Sequence, residues 1–150
     1  MHAPSSSELP LLVELTFTVR TYDIDFANIV HNAVYIRWLE DLRQEILVDH
    51  MPIEEMLAQQ ISPILTRTEI DYRRPVQFGD DVRGRMWVRE LGRTRWTVSG
   101  EIASGQTVAA AAVQSGYFAS LETLSPVRVP QKLRRAWEQH RSFSEAGSSK

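Results

Sequence analysis

The sequence predicts an α+β domain in which one long amphipathic helix is set against a five-stranded, mostly antiparallel sheet. Two observations carry this. Val13, Leu15, Phe17 and Val19 alternate with Glu14, Thr16, Thr18 and Arg20, and period-two runs return from Ile64 onward, broken by Pro, Gly and Asp. Between them, from Ala33, the residues Tyr35, Trp38, Leu39, Leu42 and Ile46 fall at helical spacing, while Arg37, Glu40, Asp41, Gln44 and Glu45 take the other side.

Taken in order, residues 1–10 carry no periodic pattern and read as a flexible lead-in, and residues 11–141 as one domain. The first strand delivers the chain to an acidic loop at Asp23 and Asp25. Asn32 precedes the first turn of the long helix, where a side-chain oxygen serves as N-cap. His50-Met51-Pro52 ends that helix, and Ile53 to Gln59 reads as a short second one. The next strand puts Ile64, Thr66, Thr68, Ile70 and Tyr72 on one face. Val82, Met86 and Val88 follow, opposed by Arg83, Arg85, Trp87 and Arg89, and a turn at Leu91-Gly92-Arg93 leads into Trp96, Val98, Gly100 and Ile102. After Ser104-Gly105, the Ala- and Val-rich run Thr107 to Ala119 reads as a central strand whose small residues let a helix approach closely. Its alanines would suit a helix equally well, and only the flanking turns decide. Gln131 to Arg141 has a helical pattern carried by Leu133 and Trp137, and 142–150 reads as a disordered tail.

A chain of 150 residues is long enough to bury a core without covalent staples. With no Cys, disulfides, thiolate metal sites and a Cys nucleophile are excluded, and no metal site is expected. A net charge of −2 gives no nucleic-acid footprint. No apolar run approaches the ~20 residues of a membrane span and no leader pattern is seen, so a cytoplasmic protein without membrane contact is expected.

Chemistry concentrates between Tyr22 and Arg43. The first N–H groups of the long helix, with the positive end of its dipole, are suited to hold developing negative charge, and Asp25 lies seven residues before Asn32. A carboxylate facing such donors is an acyl-transfer arrangement. Asp25 alone also fits a loop aspartate that caps a turn, and Asp23 reads as a structural fixer of the loop. Glu40 reads as a helix carboxylate paired with Arg43 or Arg37. Arg83, Arg85, Arg89, Arg93 and Arg95 fit a solvated edge as well as a phosphate site.

Asp23-x-Asp25, then Ala27-Asn28-Ile29-Val30-His31-Asn32-Ala33-Val34-Tyr35, then Trp38-x-Glu40-x-x-Arg43 resembles the signature of hotdog-fold acyl-CoA thioesterases of the 4-hydroxybenzoyl-CoA thioesterase type. The resemblance resumes at Tyr72 to Asp80, Val108-Ala109 and Val129-Pro130, so it touches landmarks from Val13 to Trp137. It implies a sheet wrapped around the central helix and hydrolysis of an acyl-CoA or acyl-carrier-protein thioester. No cofactor is implied beyond the coenzyme A of the substrate. Asp25 becomes the nucleophile or general base, and the backbone N–H at Asn32 polarises the carbonyl. A thiol with a pKa near ~8.5 leaves without a strong proton donor, so one carboxylate and one oxyanion site suffice.

The resemblance further implies a phosphate contact at Arg93, and a homodimer or homotetramer. Phe26, Tyr35, Trp38, Ile64 and Tyr72 are the expected pocket lining, and Glu40 is the back-up base. Two positions depart from the pattern. Asn28 stands where relatives carry Gly, which Asn replaces in a left-handed turn, and His31 stands one place before the His of several relatives. A hotdog enoyl-CoA hydratase is the competing enzyme, but its Asp-x4-His spacing differs from Asp25 and His31, separated by five residues. A non-catalytic acyl-binding domain is the third reading.

Overall fold

A computed structural model of the chain describes the backbone of residues 8–148 and the side chains of residues 8–142. The elements run β1 (Val13–Phe17), a single 3-10 turn (Thr21–Asp23), α1 (Asn32–Val48), α2 (Ile53–Gln59), β2 (Ile61–Tyr72), β3 (Val82–Leu91), β4 (Arg95–Ser104), β5 (Thr107–Ser120), β6 (Pro126–Val127) and α3 (Gln131–Ser148). The sheet is antiparallel throughout, in the order β1-β3-β4-β5-β2, and the two-residue β6 joins β5 at Phe118 and Ala119. The expected five strands are all present, with β6 as a short sixth.

The apolar stripe of α1 packs as its spacing requires, with Tyr35, Trp38, Leu39, Leu42 and Ile46 buried. Leu39 and Leu42 are almost fully enclosed, which for each side chain stabilises the fold by about 1.5–3 kcal/mol relative to exposure. The alanines of β5 are not what lets the helix come near. A Cβ added at Gly84 of β3 would lie 2.9 Å from Leu42 Cδ1, and one at Gly100 of β4 would lie 3.1 Å from Leu39 Cδ2. The closest approach therefore falls on glycines of two other strands.

A second difference concerns β2. Its pairing with β5 shifts at Thr66, where an extra residue makes a β-bulge. Because side-chain direction alternates with period two, the bulge reverses the parity of the strand. Thr68, Ile70 and Tyr72 pair with Gln114, Ala112 and Ala110 and share the helix-facing side, whereas Ile64 pairs with Tyr117 and turns to the other face. The expectation that Ile64 lines the helix side is corrected by that one inserted residue.

Buried Gln114 braces the interior: the Arg43 guanidinium donates to its Oε1, and its Nε2 donates to Thr68 Oγ1 at 3.0 Å. Burial lowers the pKa of Arg43, opposed by the charge of Glu40. Gln114→Ala should cost about 2 kcal/mol in urea unfolding, because it strips the acceptor from a half-buried charge. Thr68→Val, which leaves the Arg43 bond intact, should cost less.

At the ends of the chain, Leu9 is buried and the Pro10 carbonyl accepts from the Val88 N–H, so part of the expected lead-in packs on β3. Residues 1–7 lie outside the described residues. Helix α3 runs beyond Arg141 to Ser148, held near its middle by Ser142 Oγ donating to the Glu138 carbonyl at 3.0 Å. Residues 142–148 of the expected tail thus lie in the helix, and 149–150 lie outside the described residues. Among the described residues, no helix is long and apolar enough to cross a membrane.

Candidate active site

The loop from Arg20 to His31 is built by its acids. Asp23 is buried. Its Oδ2 accepts from the Arg20 N–H at 2.8 Å and its Oδ1 from Arg37 Nη2 at 2.7 Å. This is the structural role its sequence position implies, and it takes Arg37 away from the pairing expected with Glu40. The loop then folds back. Ile24 bridges Val30, the Asp23 carbonyl accepts from the His31 N–H at 2.9 Å, and the Asp25 N–H donates to the Ile29 carbonyl at 3.0 Å.

Asp25 is exposed and divides its carboxylate between two tasks. Its Oδ1 accepts from the N–H groups of Ala27 at 2.8 Å and Ile29 at 3.0 Å. Among the described residues its Oδ2 has no hydrogen-bond partner. One oxygen thus fixes the side chain against the loop, and the other is open to a water or a substrate carbon. The tight turn depends on Asn28, which sits at φ 60° and accepts the Phe78 N–H through Oδ1 at 3.0 Å. Asn here does hold the left-handed conformation expected of it.

Helix α1 begins at Asn32, one residue earlier than the capping pattern suggests. His31 is the N-cap, and its side chain makes no cap bond. Asn32 is therefore the first helical residue rather than the cap. The first N–H groups of a helix have no intrahelical acceptor, and at Asn32 and Ala33, both exposed, no capping side chain takes them. The Asn32 carbonyl accepts from the Tyr72 hydroxyl at 3.1 Å, and partial burial raises the pKa of that phenol. Asp25, Asn32, His31 and Tyr72 are thus brought to one end of α1.

The other expected residues separate from them. Tyr35 and Trp38 are core residues: Phe17 stacks on Trp38 at 5.3 Å, and Tyr35 meets Trp38 and Tyr72 edge to face at 5.3 and 5.1 Å. Phe26 projects fully into solvent beside Asp25. Glu40 is exposed eight residues along α1, about 12 Å from Asn32 at the helical rise. Arg93 lies in the β3–β4 turn. Since β1 meets β3 at Val82 and that turn follows Leu91, one chain holds Arg93 at the opposite end of the sheet from the Asp25 loop. Arg37–Asp23 and Arg43–Gln114–Thr68 are contacts the sequence did not disclose. Gln114 carries the only visible signal, as the one long polar side chain in an Ala- and Val-rich strand.

A helix packed on one face of an antiparallel sheet, with an acidic loop at its N-terminus, defines the class of hotdog-fold thioesterase-like proteins. The chain belongs to the thioesterase-like superfamily, whose profile matches residues 19–137. A curated protein of Aquifex aeolicus (strain VF5), to which an esterase activity is ascribed, is 28% identical over 82 residues, 54% of this chain. That match spans 64% of the relative's length. Among solved structures, a DHNA-CoA thioesterase from Staphylococcus aureus superposes with a TM-score of 0.78 at 18% identity, covering 91% of this chain and 93% of that one. A hypothetical protein of Staphylococcus aureus in complex with CoA gives 0.82 at 15% identity, covering 89% and 86%. At these identities the likeness establishes the fold.

Proposed function

We propose that the protein hydrolyses an acyl-CoA thioester to a carboxylic acid and free coenzyme A, in the manner of the 4-hydroxybenzoyl-CoA thioesterase type, with an acyl-carrier-protein thioester as the alternative carrier. The observation that carries this is the divided carboxylate of Asp25, one oxygen held by Ala27 and Ile29 and the other free, beside the uncapped N-terminus of α1. The thioester carbonyl accepts from the Asn32 N–H. Attack on its carbon moves the C=O electron pair onto oxygen, where the amide and the helix dipole stabilise the charge. Collapse then breaks the C–S bond and releases the thiolate.

Asp25 acts either as base, taking the proton of the attacking water, or as nucleophile, forming an anhydride that water opens. Single turnover in 18O water separates the two, since only the nucleophile route leaves label in Asp25. His31 is a neighbour of the oxyanion position through its backbone, and Phe26 and Tyr72 flank the approach. Free-thiol release across a panel of acyl-CoAs tests the proposal. Hydration of an enoyl-CoA without thiol release would favour the hydratase reading, and binding without turnover the acyl-binding one.

A dimer completes this reading. Strand β2 is a twelve-residue strand at the sheet edge, against five residues for β1 at the other, and an edge of that length is a template for pairing. Two β2 edges paired antiparallel bring the Tyr72 end of one copy to the Ile61 end of the other, and with it the partner's β3–β4 turn to the Asp25 end. Arg93 is then a coenzyme A phosphate contact made across the dimer, and further pairing of dimers gives the tetramer. Sedimentation at micromolar concentration should show no monomer.

A contact to phosphate outside the pocket binds ground state and transition state equally. Arg93→Ala should therefore raise KM with kcat nearly unchanged. Added salt should do the same to the wild type, because exposed ion pairs are screened within about 8 Å at physiological ionic strength. An N-acyl cysteamine substrate, which lacks the nucleotide, should be hydrolysed equally by both proteins.

A further inference from the structure

We propose that the cavity between the C-terminal half of α1, helix α2 and the sheet is the seat of a long aliphatic chain, the tail of the acyl group. This inference rests on the hydrolytic reading above and names its substrate class. The cavity measures about 620 Å³, within the range of small-ligand sites. Its floor is Trp96, Val98 and Phe118, all buried, and its walls include Met56, Leu57 and Leu65. The polar groups Glu40, Arg43 and Gln44 come from α1, Glu54 from α2 and Ser62 from β2. Arg43 is already engaged by Gln114.

Three features point to an aliphatic occupant. The large apolar side chains that this protein leaves exposed include Val48, Ile53, Leu57, Leu65 and Leu121, and all five line this one cavity. Contiguous apolar surface of that kind is unfavourable in water and marks a binding site. The space is also a slot walled by α1, α2 and the sheet and open on one side, which fits a flexible chain better than a flat protein surface. Finally, α2 is built as a cover and not as core. None of its residues is buried, and it ends at Gln60 in the left-handed conformation at φ 55°. Met56 on its inner side is unbranched and adapts to irregular ligands.

Reach sets the chain length. Helix α1 connects the two sites, with Asn32 at its start and Glu40 at the cavity rim, about 12 Å apart at the helical rise. An extended carbon chain advances about 1.25 Å per atom, from bonds of about 1.52 Å at an angle near 111°. About ten carbons therefore span the interval, and acyl groups of roughly twelve or more enter the cavity. A butanoyl group does not reach it.

The test is calorimetric titration of the full chain with sodium dodecanoate and sodium butanoate, alongside kcat/KM for dodecanoyl-CoA and butanoyl-CoA. Dodecanoate should bind at least ~10-fold tighter, the scale expected from the roughly two methylenes that pass the rim at about 0.8 kcal/mol each. Met56→Trp, which fills the cavity, should lower dodecanoate affinity and dodecanoyl-CoA turnover at least ~10-fold while sparing butanoyl-CoA. Met56→Leu should restore both, and Leu57→Trp, at a cavity-lining position that is largely solvent-exposed, gives a second blocking variant with little risk to folding. Equal affinity for the two acids, indifference of dodecanoate to both blocking variants, or a cavity covered by a second copy in the dimer would overturn the proposal. Asp25→Asn should bind dodecanoate at least as tightly as the wild type, because it removes a carboxylate that faces the acid's own. Cavity-dependent binding without hydrolysis of any acyl-CoA would therefore sink the hydrolytic reading and leave the binding site standing.

Discussion

Asp25→Asn is expected to lower thioester turnover at least ~10²-fold, the lower end for loss of a positioned base. The exchange keeps the shape of the side chain. Its remaining carbonyl oxygen still accepts the Ala27 and Ile29 N–H groups, so the loop should stand. What disappears is the second, unpartnered oxygen, replaced by an amide nitrogen that is neither base nor nucleophile. Circular dichroism and sedimentation should match the wild type while kcat falls. Undiminished turnover in a pure sample would remove Asp25 from the chemistry. Glu40 would then be the next carboxylate to test, although it stands eight residues along α1.

Gly116→Ala is expected to have the largest effect on stability. Gly116 pairs with Leu65 immediately before the Thr66 bulge, and the bulge draws the β2 backbone over it. A Cβ there would sit 1.8 Å from the Ile64 carbonyl oxygen and 2.8 Å from both the Ile64 carbonyl carbon and Trp96 Cζ2. Backbone cannot yield as a side-chain tip does. The strands must part or the bulge must move, at a cost of at least ~3 kcal/mol. Urea unfolding should show a large drop in midpoint or no folded protein, and the Trp96 environment should change. A midpoint within experimental error of the wild type would mean that the bulge is not held where the pairing puts it.

These two positions differ in how far the sequence discloses them. Asp25 stands out because an acidic loop running into an amphipathic helix is a local pattern, and local patterns survive folding. The long helix and all five major strands were legible for the same reason. Gly116 carries no such signal, since its demand comes from a bulge on another strand. The same bulge puts Ile64 on the face opposite to the one its spacing predicts. The start of α1 differs by one residue from the capping pattern because Asn is a better N-cap than His on propensity, whereas the turn is fixed by the His31 N–H donating to the Asp23 carbonyl.

Residues distant in sequence were the least legible. Arg37 meets Asp23 and Arg43 meets Gln114 because the loop folds back and the helix lies across the sheet. Tyr35 and Trp38 were expected to line a pocket, yet their helical spacing is equally that of core residues, and the structure spends them on Phe17 and Tyr72. The cavity under α2 has no sequence signal because it is made by two helices and four strands meeting, with no motif of its own.

The most direct test of the account is thiol release from dodecanoyl-CoA and butanoyl-CoA, followed with a thiol reagent for wild type and Asp25→Asn side by side. Thiol release by the wild type, cut at least ~10²-fold in Asp25→Asn at unchanged secondary structure and oligomeric state, is the result expected. Wild-type protein that binds these thioesters and releases no thiol, or an Asp25→Asn protein as active as the wild type, would contradict it.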